Sequence, residues 1–134
     1  MKLIVQEDSL GCSVACVASI TKKTYKYTKR KYFKNSNSAK TKGYICKEIV
    51  RALEKAGLVY KYKYLKKRMK YKVGTIVFVK RSKRYPAGHF LVKTRRGWMD
   101  PWYNFDAKSP DAKRANAGYR KRLPGRAIYA IYPI

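Results

Sequence analysis

Acidic residues are scarce in this sequence. It contains 7 Asp and Glu against 34 Lys and Arg, which gives a formal net charge of +27. So large an excess of one sign makes the chain repel itself and attract polyanions such as nucleic acid or an anionic membrane surface. The imbalance therefore indicates a class of partner, but it does not indicate a chemistry.

Long apolar segments are also missing. No apolar run approaches the roughly 20 residues that a membrane-spanning helix needs. Near the N-terminus, Gln6, Glu7 and Asp8 interrupt any apolar stretch of the kind that a secretory signal contains. We therefore predict no membrane span, and a soluble, intracellular protein.

Cysteine and histidine are few. The sequence has three cysteines, Cys12, Cys16 and Cys46, and a single histidine, His89. An odd number of cysteines without an export signal argues against a disulfide framework. A structural zinc site normally uses paired, closely spaced ligands, whereas His89 and the third cysteine lie in separate segments. The sequence therefore predicts no metal and no cofactor, and it leaves open whether one thiol is a nucleophile.

Length and apolar content fit a single domain over residues 1–134, because 46 % of the residues are apolar and one core can form. Apolar spacing predicts a helix from Cys12 to near Thr21 and another from Tyr44 to Ala56. Alternating or continuous apolar residues predict strands at 59–65, 74–79, 89–94, 98–102 and 127–132, the first as an edge strand. Helices followed by an antiparallel sheet predict the α+β class.

Four polar residues meet the requirements of cysteine nucleophilic catalysis. This chemistry uses a thiol at a helix N-terminus, a histidine base, a group that orients the histidine, and donors for the developing oxyanion. Cys12 opens the first predicted helix, and Gln6 places an amide six residues before it. His89 begins one predicted strand, and Asp100 lies on the next, across a tight turn at residues 95–97. These residue types supply each required group.

This constellation gives a geometric prediction. The Cys12 sulfur should lie within about 4 Å of a ring nitrogen of His89. The other ring nitrogen should face Asp100, and the Gln6 amide should point into the same cleft. Cys16, one helical turn after Cys12, should point into the core.

The segment Gln6-Glu-Asp-Ser-Leu-Gly-Cys12-Ser-Val-Ala-Cys16-Val-Ala-Ser-Ile20 resembles the opening motif of the bacteriocin-processing, or double-glycine leader, peptidases, which are papain-like cysteine peptidases. Gly88-His89-Phe-Leu-Val and Asp100-Pro101 are similar to the histidine strand and the Asp-Pro pair of that family. The resemblance covers residues 1–103 and implies a papain-like fold and a peptide or protein substrate. It also implies Cys12 as nucleophile, His89 as base, Asp100 as orienting group and Gln6 as oxyanion donor.

Basic residues and tyrosines alternate in the middle of the chain. Between Glu54 and Asp100 there are fifteen basic residues and no acidic one. Lysine and arginine neutralise phosphates, tyrosine stacks on bases, and the sequence has no motif that reads a base sequence, so binding should be insensitive to sequence. We call the following set the predicted basic face: Lys61, Lys63, Lys66, Lys67, Arg68, Lys70, Lys72, Lys80, Arg81, Lys83 and Arg84.

Two functions from different classes are open on the sequence. One is a cysteine peptidase that acts through Cys12. The other is a highly basic structural or nucleic-acid-binding protein on the same fold, with the peptidase chemistry unused. Its partners would be nucleic acid or acidic proteins in a large assembly such as a virion. The two functions are compatible if a polyanion localises or activates the peptidase.

Overall fold

A computed structural model describes residues 1–134 and has α+β architecture, with four helices ahead of a six-stranded antiparallel sheet. The helices are α1 (Cys12–Thr21), α2 (Tyr25–Tyr32), α3 (Ser38–Thr41) and α4 (Cys46–Lys55). The strands are β1 (Tyr60–Tyr64), β2 (Ile76–Val79), β3 (His89–Thr94), β4 (Gly97–Asp100), β5 (Gly118–Arg120) and β6 (Ala127–Pro133). The sheet order is β1-β6-β2-β3-β4-β5, and each neighbouring pair is antiparallel. No helix combines the length and the apolar composition needed to cross a bilayer.

Most of the predicted elements are confirmed, including β1 at the sheet edge. The sequence pattern does not predict α2, in which lysine and tyrosine dominate and only Tyr25 and Thr28 are buried. This helix begins instead at a side-chain cap, because the Thr24 hydroxyl accepts a hydrogen bond from the Tyr27 N–H at 3.1 Å. Strand β5 is also not predicted, since it is three residues long and only partly buried.

Both faces of the sheet are packed. Helices α1 and α4 contact the sheet, and the first core includes Ile76, Val92, Met99 and Ile131. Because successive strand residues point to opposite faces, their neighbours in sequence belong to a second core on the other face. That core contains Val77, Leu91, Trp98 and Ala130 and is covered by loop residues such as Met69, Phe105 and Leu123.

Helix α1 is almost completely buried. Eight of its ten residues are buried, and most are as small as alanine, cysteine, serine or valine, so the helix lies close to α2, α4 and β3. Val14 and Val17 are fully buried, and each such burial stabilises the fold by about 1.5–3 kcal/mol. The first turn of α1, which contains Cys12, is therefore held in a fixed position against the sheet.

Candidate active site

His89 and Asp100 form a buried pair at the ends of adjacent strands. His89 Nε2 lies 2.6 Å from Asp100 Oδ1, and the residues are 5 % and 0 % exposed. Val92 pairs with Met99, which places Asp100 opposite position 91. His89 therefore reaches Asp100 diagonally, from two residues along the same face of the sheet.

Asp100 is held by two further hydrogen bonds besides the one with His89. Its Oδ1 also accepts from the Trp102 N–H at 2.9 Å, and its Oδ2 accepts from Arg120 Nε at 2.6 Å. Burial raises the pKa of Asp100, but the hydrogen bonds and charges of His89 and Arg120 outweigh burial and hold the pKa below its usual value. Asp100 is thus a carboxylate at neutral pH, and His89 Nε2 donates the proton between them.

Cys12 is the second residue that interacts with the imidazole. It is the first residue of α1 and is 9 % exposed. Burial lowers the pKa of His89, but hydrogen bonds to Asp100 and to Cys12 raise it more, to about 9. Since Nε2 is occupied by Asp100, Nδ1 is the ring nitrogen available to the Cys12 thiol. The structure thus brings Cys12, His89 and Asp100 into one chain of contacts.

The N-terminus of α1 carries an unpaired donor. Gly11 is the N-cap and supplies no side-chain hydrogen bond. The N–H of Cys12 has no backbone or side-chain acceptor in the protein. The N–H groups of the first turn of a helix point along the axis and out of its N-terminal end, where the helix dipole is positive. A negative charge that develops there is therefore stabilised.

Gln6, the predicted oxyanion donor, is buried, and its amide nitrogen is engaged within the segment before Cys12. Gln6 Nε2 donates to the carbonyl oxygens of Asp8, at 2.9 Å, and Ser9, at 3.2 Å, while its buried Oε1 has no partner. The Gln6 N–H donates to the Pro101 carbonyl, which joins this segment to the end of β4. A substrate oxygen that accepts from the Gln6 amide would have to replace the longer contact, the one with Ser9.

The loop before Cys12 is anchored by residues that the sequence reading does not identify. Asp8 Oδ2 accepts from the Tyr25 hydroxyl at 2.7 Å and from Lys29 Nζ at 2.9 Å. Burial raises the pKa of Asp8, but these two bonds and the Lys29 charge lower it below its usual value. A Cβ added at Gly11 would lie 1.9 Å from the Tyr25 hydroxyl, so only glycine fits between α2 and Cys12.

Replacing Gly11 with Ala is expected to lower stability by about 1–3 kcal/mol, because the added Cβ displaces the Tyr25 hydroxyl from Asp8. Tyr25→Phe removes that hydroxyl and should cost about 0.5–1.5 kcal/mol by itself. In the double variant the two losses should be less than additive, since the atom in closest conflict is gone. Chemical denaturation of the four proteins measures this coupling, and strictly additive losses would contradict the packing argument.

A concave surface, which we call the Cys12 cleft, adjoins the thiol. It has a volume of about 390 Å³, and its apolar lining includes Leu10, Phe78 and Phe90. Gly88 also lines it at a φ of +75°, and a Cβ there would lie 2.1 Å from the Phe78 ring. Glycine before His89 therefore keeps this cleft open beside the site.

The other two cysteines are unsuited to nucleophilic chemistry. Cys16 is fully buried, and burial raises its pKa well above the usual value. Cys46 lines the Cys12 cleft, but burial raises its pKa to about 11. Both thiols are therefore protonated at neutral pH, and neither contacts a histidine base.

Basic residues are distributed over more than one surface. A second concavity, which we call the basic cleft, has a volume of about 1180 Å³ and is formed by residues 65–71 and 122–127 over Lys93 and Trp98. Four members of the predicted basic face line it, and Arg81 lines the Cys12 cleft instead. The remaining members are exposed outside both concavities: Lys61, Lys63, Lys72, Lys80, Lys83 and Arg84.

Two residues near His89 are found only in the structure. Tyr85 stacks on the imidazole, with ring centroids 4.7 Å apart and planes inclined by 7°. Arg120, on β5, donates to Asp100 and also to the Tyr103 carbonyl at 2.9 Å. No spacing or motif in the sequence connects either residue with His89, because the contacts depend on loop conformation and on strand order.

Comparisons with protein-family models, with curated protein sequences and with solved structures give no match.

Proposed function

We propose that this protein is a cysteine peptidase of the papain-like type that hydrolyses peptide bonds through Cys12, His89 and Asp100. One observation carries the proposal: His89 interacts both with Asp100, through Nε2, and with the Cys12 thiol at the first turn of a helix. A histidine that is positively charged at neutral pH, next to a thiol at a helix N-terminus, is the environment in which thiolates form.

The proposed reaction has two steps. The Cys12 thiolate attacks the scissile carbonyl carbon, and the imidazolium of His89 gives its proton to the leaving amine as the C–N bond breaks. Water then attacks the thioester carbon, His89 takes a proton from that water, and the C–S bond breaks to release the acid and restore the Cys12 thiolate beside the His89 imidazolium. Asp100 keeps the charged imidazole oriented throughout.

Two hydrogen-bond donors stabilise the oxyanion that forms during the attack. The N–H of Cys12 is unpaired and lies at the positive end of α1. Gln6 is the second donor, once a substrate oxygen replaces its contact with the Ser9 carbonyl. A donor that is already in position before the reaction, as the Cys12 N–H is, contributes several kcal/mol of transition-state stabilisation, about 2.7–4 in measured cases. The substrate is a peptide or protein segment that enters the Cys12 cleft.

A second candidate is a basic structural or nucleic-acid-binding protein in which the triad is unused, with nucleic acid or acidic virion proteins as partners. The net charge of +27 and the concentration of lysine and arginine in the basic cleft favour it. The two candidates differ in the reactivity of Cys12, since an unused site need not keep an activated thiol.

Alkylation with iodoacetamide at pH 7 is expected to modify Cys12 at least tenfold faster than Cys46, because only Cys12 contacts an imidazolium. Peptide mapping by mass spectrometry identifies the labelled thiol. Cys46→Ala is the matched control and should leave the fast phase unchanged, whereas Cys12→Ala should abolish it. If Cys12 reacts no faster than Cys46 in the folded protein, the peptidase proposal is wrong.

A further inference from the structure

The lining of the basic cleft is richer in positive charge than the chain as a whole. Lysine and arginine make up about a quarter of the chain, 34 of 134 residues, but half of the residues that line this cleft, 7 of 14. No aspartate or glutamate is among them. The seven are Lys66, Lys67, Arg68, Lys70, Lys93, Arg122 and Arg126. Three of these, Lys93, Arg122 and Arg126, lie outside the predicted basic face. They are distant in sequence from residues 66–70, and the fold brings them to the same cleft.

The cations surround the cleft from different elements. Four belong to the loop after β1, two to the loop before β6, and Lys93 to β3 in the sheet between them. All except Lys93 are exposed. Cations that converge on a concavity from several sides focus the positive potential within it, which a flat charged surface does not do. The cleft should therefore attract anions more strongly than the flat parts of the surface.

The size and the floor of the cleft restrict the anion. Its volume, about 1180 Å³, exceeds the roughly 300–1,000 Å³ of small-molecule pockets, which favours a segment of a polymer. The other lining residues include Leu65, Met69, Tyr71 and Leu123, so apolar surface lies between the cations. Tyr71 is half-buried with its ring against Trp98, at a centroid distance of 5.2 Å, which fixes its position.

We infer that the basic cleft binds a single-stranded nucleic acid, with phosphates on the surrounding cations and unpaired bases against the apolar floor. Single-strand sites combine a positive groove with apolar or aromatic platforms for bases. A duplex keeps the faces of its bases stacked inside, so it offers no base face to the apolar floor. The inference concerns where the second candidate's ligand binds, and it does not depend on the activity of Cys12.

The test compares two variants with the same loss of charge. The cleft variant carries Lys66→Gln, Lys70→Gln, Arg122→Gln and Arg126→Gln, and the control variant carries Lys26→Gln, Lys31→Gln, Arg30→Gln and Arg51→Gln. All eight side chains are exposed, and the control set lies on α2 and α4, away from the cleft. The probe is a fluorescein-labelled single-stranded oligonucleotide, and fluorescence anisotropy gives its affinity between about 50 and 200 mM salt.

The cleft variant should bind at least tenfold more weakly than wild type at 50 mM salt, and the slope of log affinity against log salt should flatten by about 2 to 3. The control variant should lose only a few-fold in affinity. Equal losses in both variants would overturn the assignment of the cleft while retaining nucleic-acid binding. If the wild-type protein does not bind the oligonucleotide at 50 mM salt, both the assignment of the cleft and nucleic-acid binding itself are wrong.

Two further measurements test the occupant. Tyr71→Leu should weaken single-strand binding at least about fivefold with no change in the salt slope, because it removes a base platform and no charge. A duplex of the same sequence, and polyglutamate of equal charge, should compete more weakly than the single strand. If either competes equally well, the cleft recognises negative charge in general, and the single-strand assignment is wrong.

Discussion

Substitution of His89 by Gln is expected to lower peptidase activity, and the alkylation rate of Cys12 at pH 7, by about two to four orders of magnitude. The imidazole both supports the thiolate and transfers the proton to the leaving amine, and general acid–base catalysis alone contributes about 10²–10⁴. Glutamine fills similar space and can still hydrogen-bond to Asp100, but it carries no transferable proton. Turnover of a fluorogenic peptide and timed iodoacetamide labelling measure the two effects.

The same variant tests the charge state of His89. The pKa of His89 is raised from about 6.5 to about 9 in the folded protein, so the charged form is bound more tightly than in the unfolded chain. The charged His89 therefore contributes on the order of 3 kcal/mol to the free energy of unfolding. This contribution is fully present below pH 6.5 and is lost as the pH rises through 9. Wild-type stability should therefore fall over that range, and the stability of His89→Gln should not show this fall. A wild-type curve that is flat between pH 6.5 and 9 would contradict a charged His89.

The sequence was informative where short-range patterns decide the structure. Small apolar residues after Gly11 mark α1, and alternating residues mark β1. The tight turn between β3 and β4 brings His89 and Asp100 to the same end of one hairpin, and the two strands pair antiparallel. The juxtaposition of His89 and Asp100 could thus be predicted without a structure.

Long-range placement was less predictable. The predicted basic face assumed that neighbouring basic segments share one surface, but β6 pairs with both β1 and β2 and separates them. As a result, residues 66–70 face Arg122 and Arg126, while Arg81 lies at the Cys12 cleft. Sequence distance carries no information on such contacts, because strand order and loop conformation decide them.

Arg120 shows the same limit at the candidate active site. It lies in a polar stretch without apolar periodicity, yet β5 pairs with β4 so that Asp100 is opposite Gly118. From this position the Arg120 side chain, which is 13 % exposed, donates to Asp100 on the oxygen that His89 does not use. Asp100 therefore lies between His89 and Arg120, and we expect Arg120 to act on His89 through Asp100 as a positioning residue.

Replacing Arg120 with Gln is expected to lower kcat by about one order of magnitude or more while KM stays near the wild-type value, because Arg120 does not line the Cys12 cleft. Removal of one member of a buried ion pair also lowers stability, by about 3–5 kcal/mol. Activity is therefore compared at a temperature at which circular dichroism shows both proteins folded. Arg122→Gln, an exposed arginine two residues later, is the matched control and should leave kcat unchanged.

The pH profile separates positioning from simple loss of stability. Arg120 helps to lower the pKa of Asp100, so in Arg120→Gln the carboxylate should take up a proton at a higher pH. The acid limb of kcat should then move to higher pH, since a neutral Asp100 no longer holds His89 charged and oriented. Arg120→Lys keeps the charge but lacks the planar group that bridges Asp100 and the Tyr103 carbonyl. In this variant the pH of the acid limb should return close to the wild-type value, whereas the maximal kcat should stay below it. An acid limb that stays at the wild-type pH in folded Arg120→Gln would show that Arg120 supports the sheet and not the charge of Asp100.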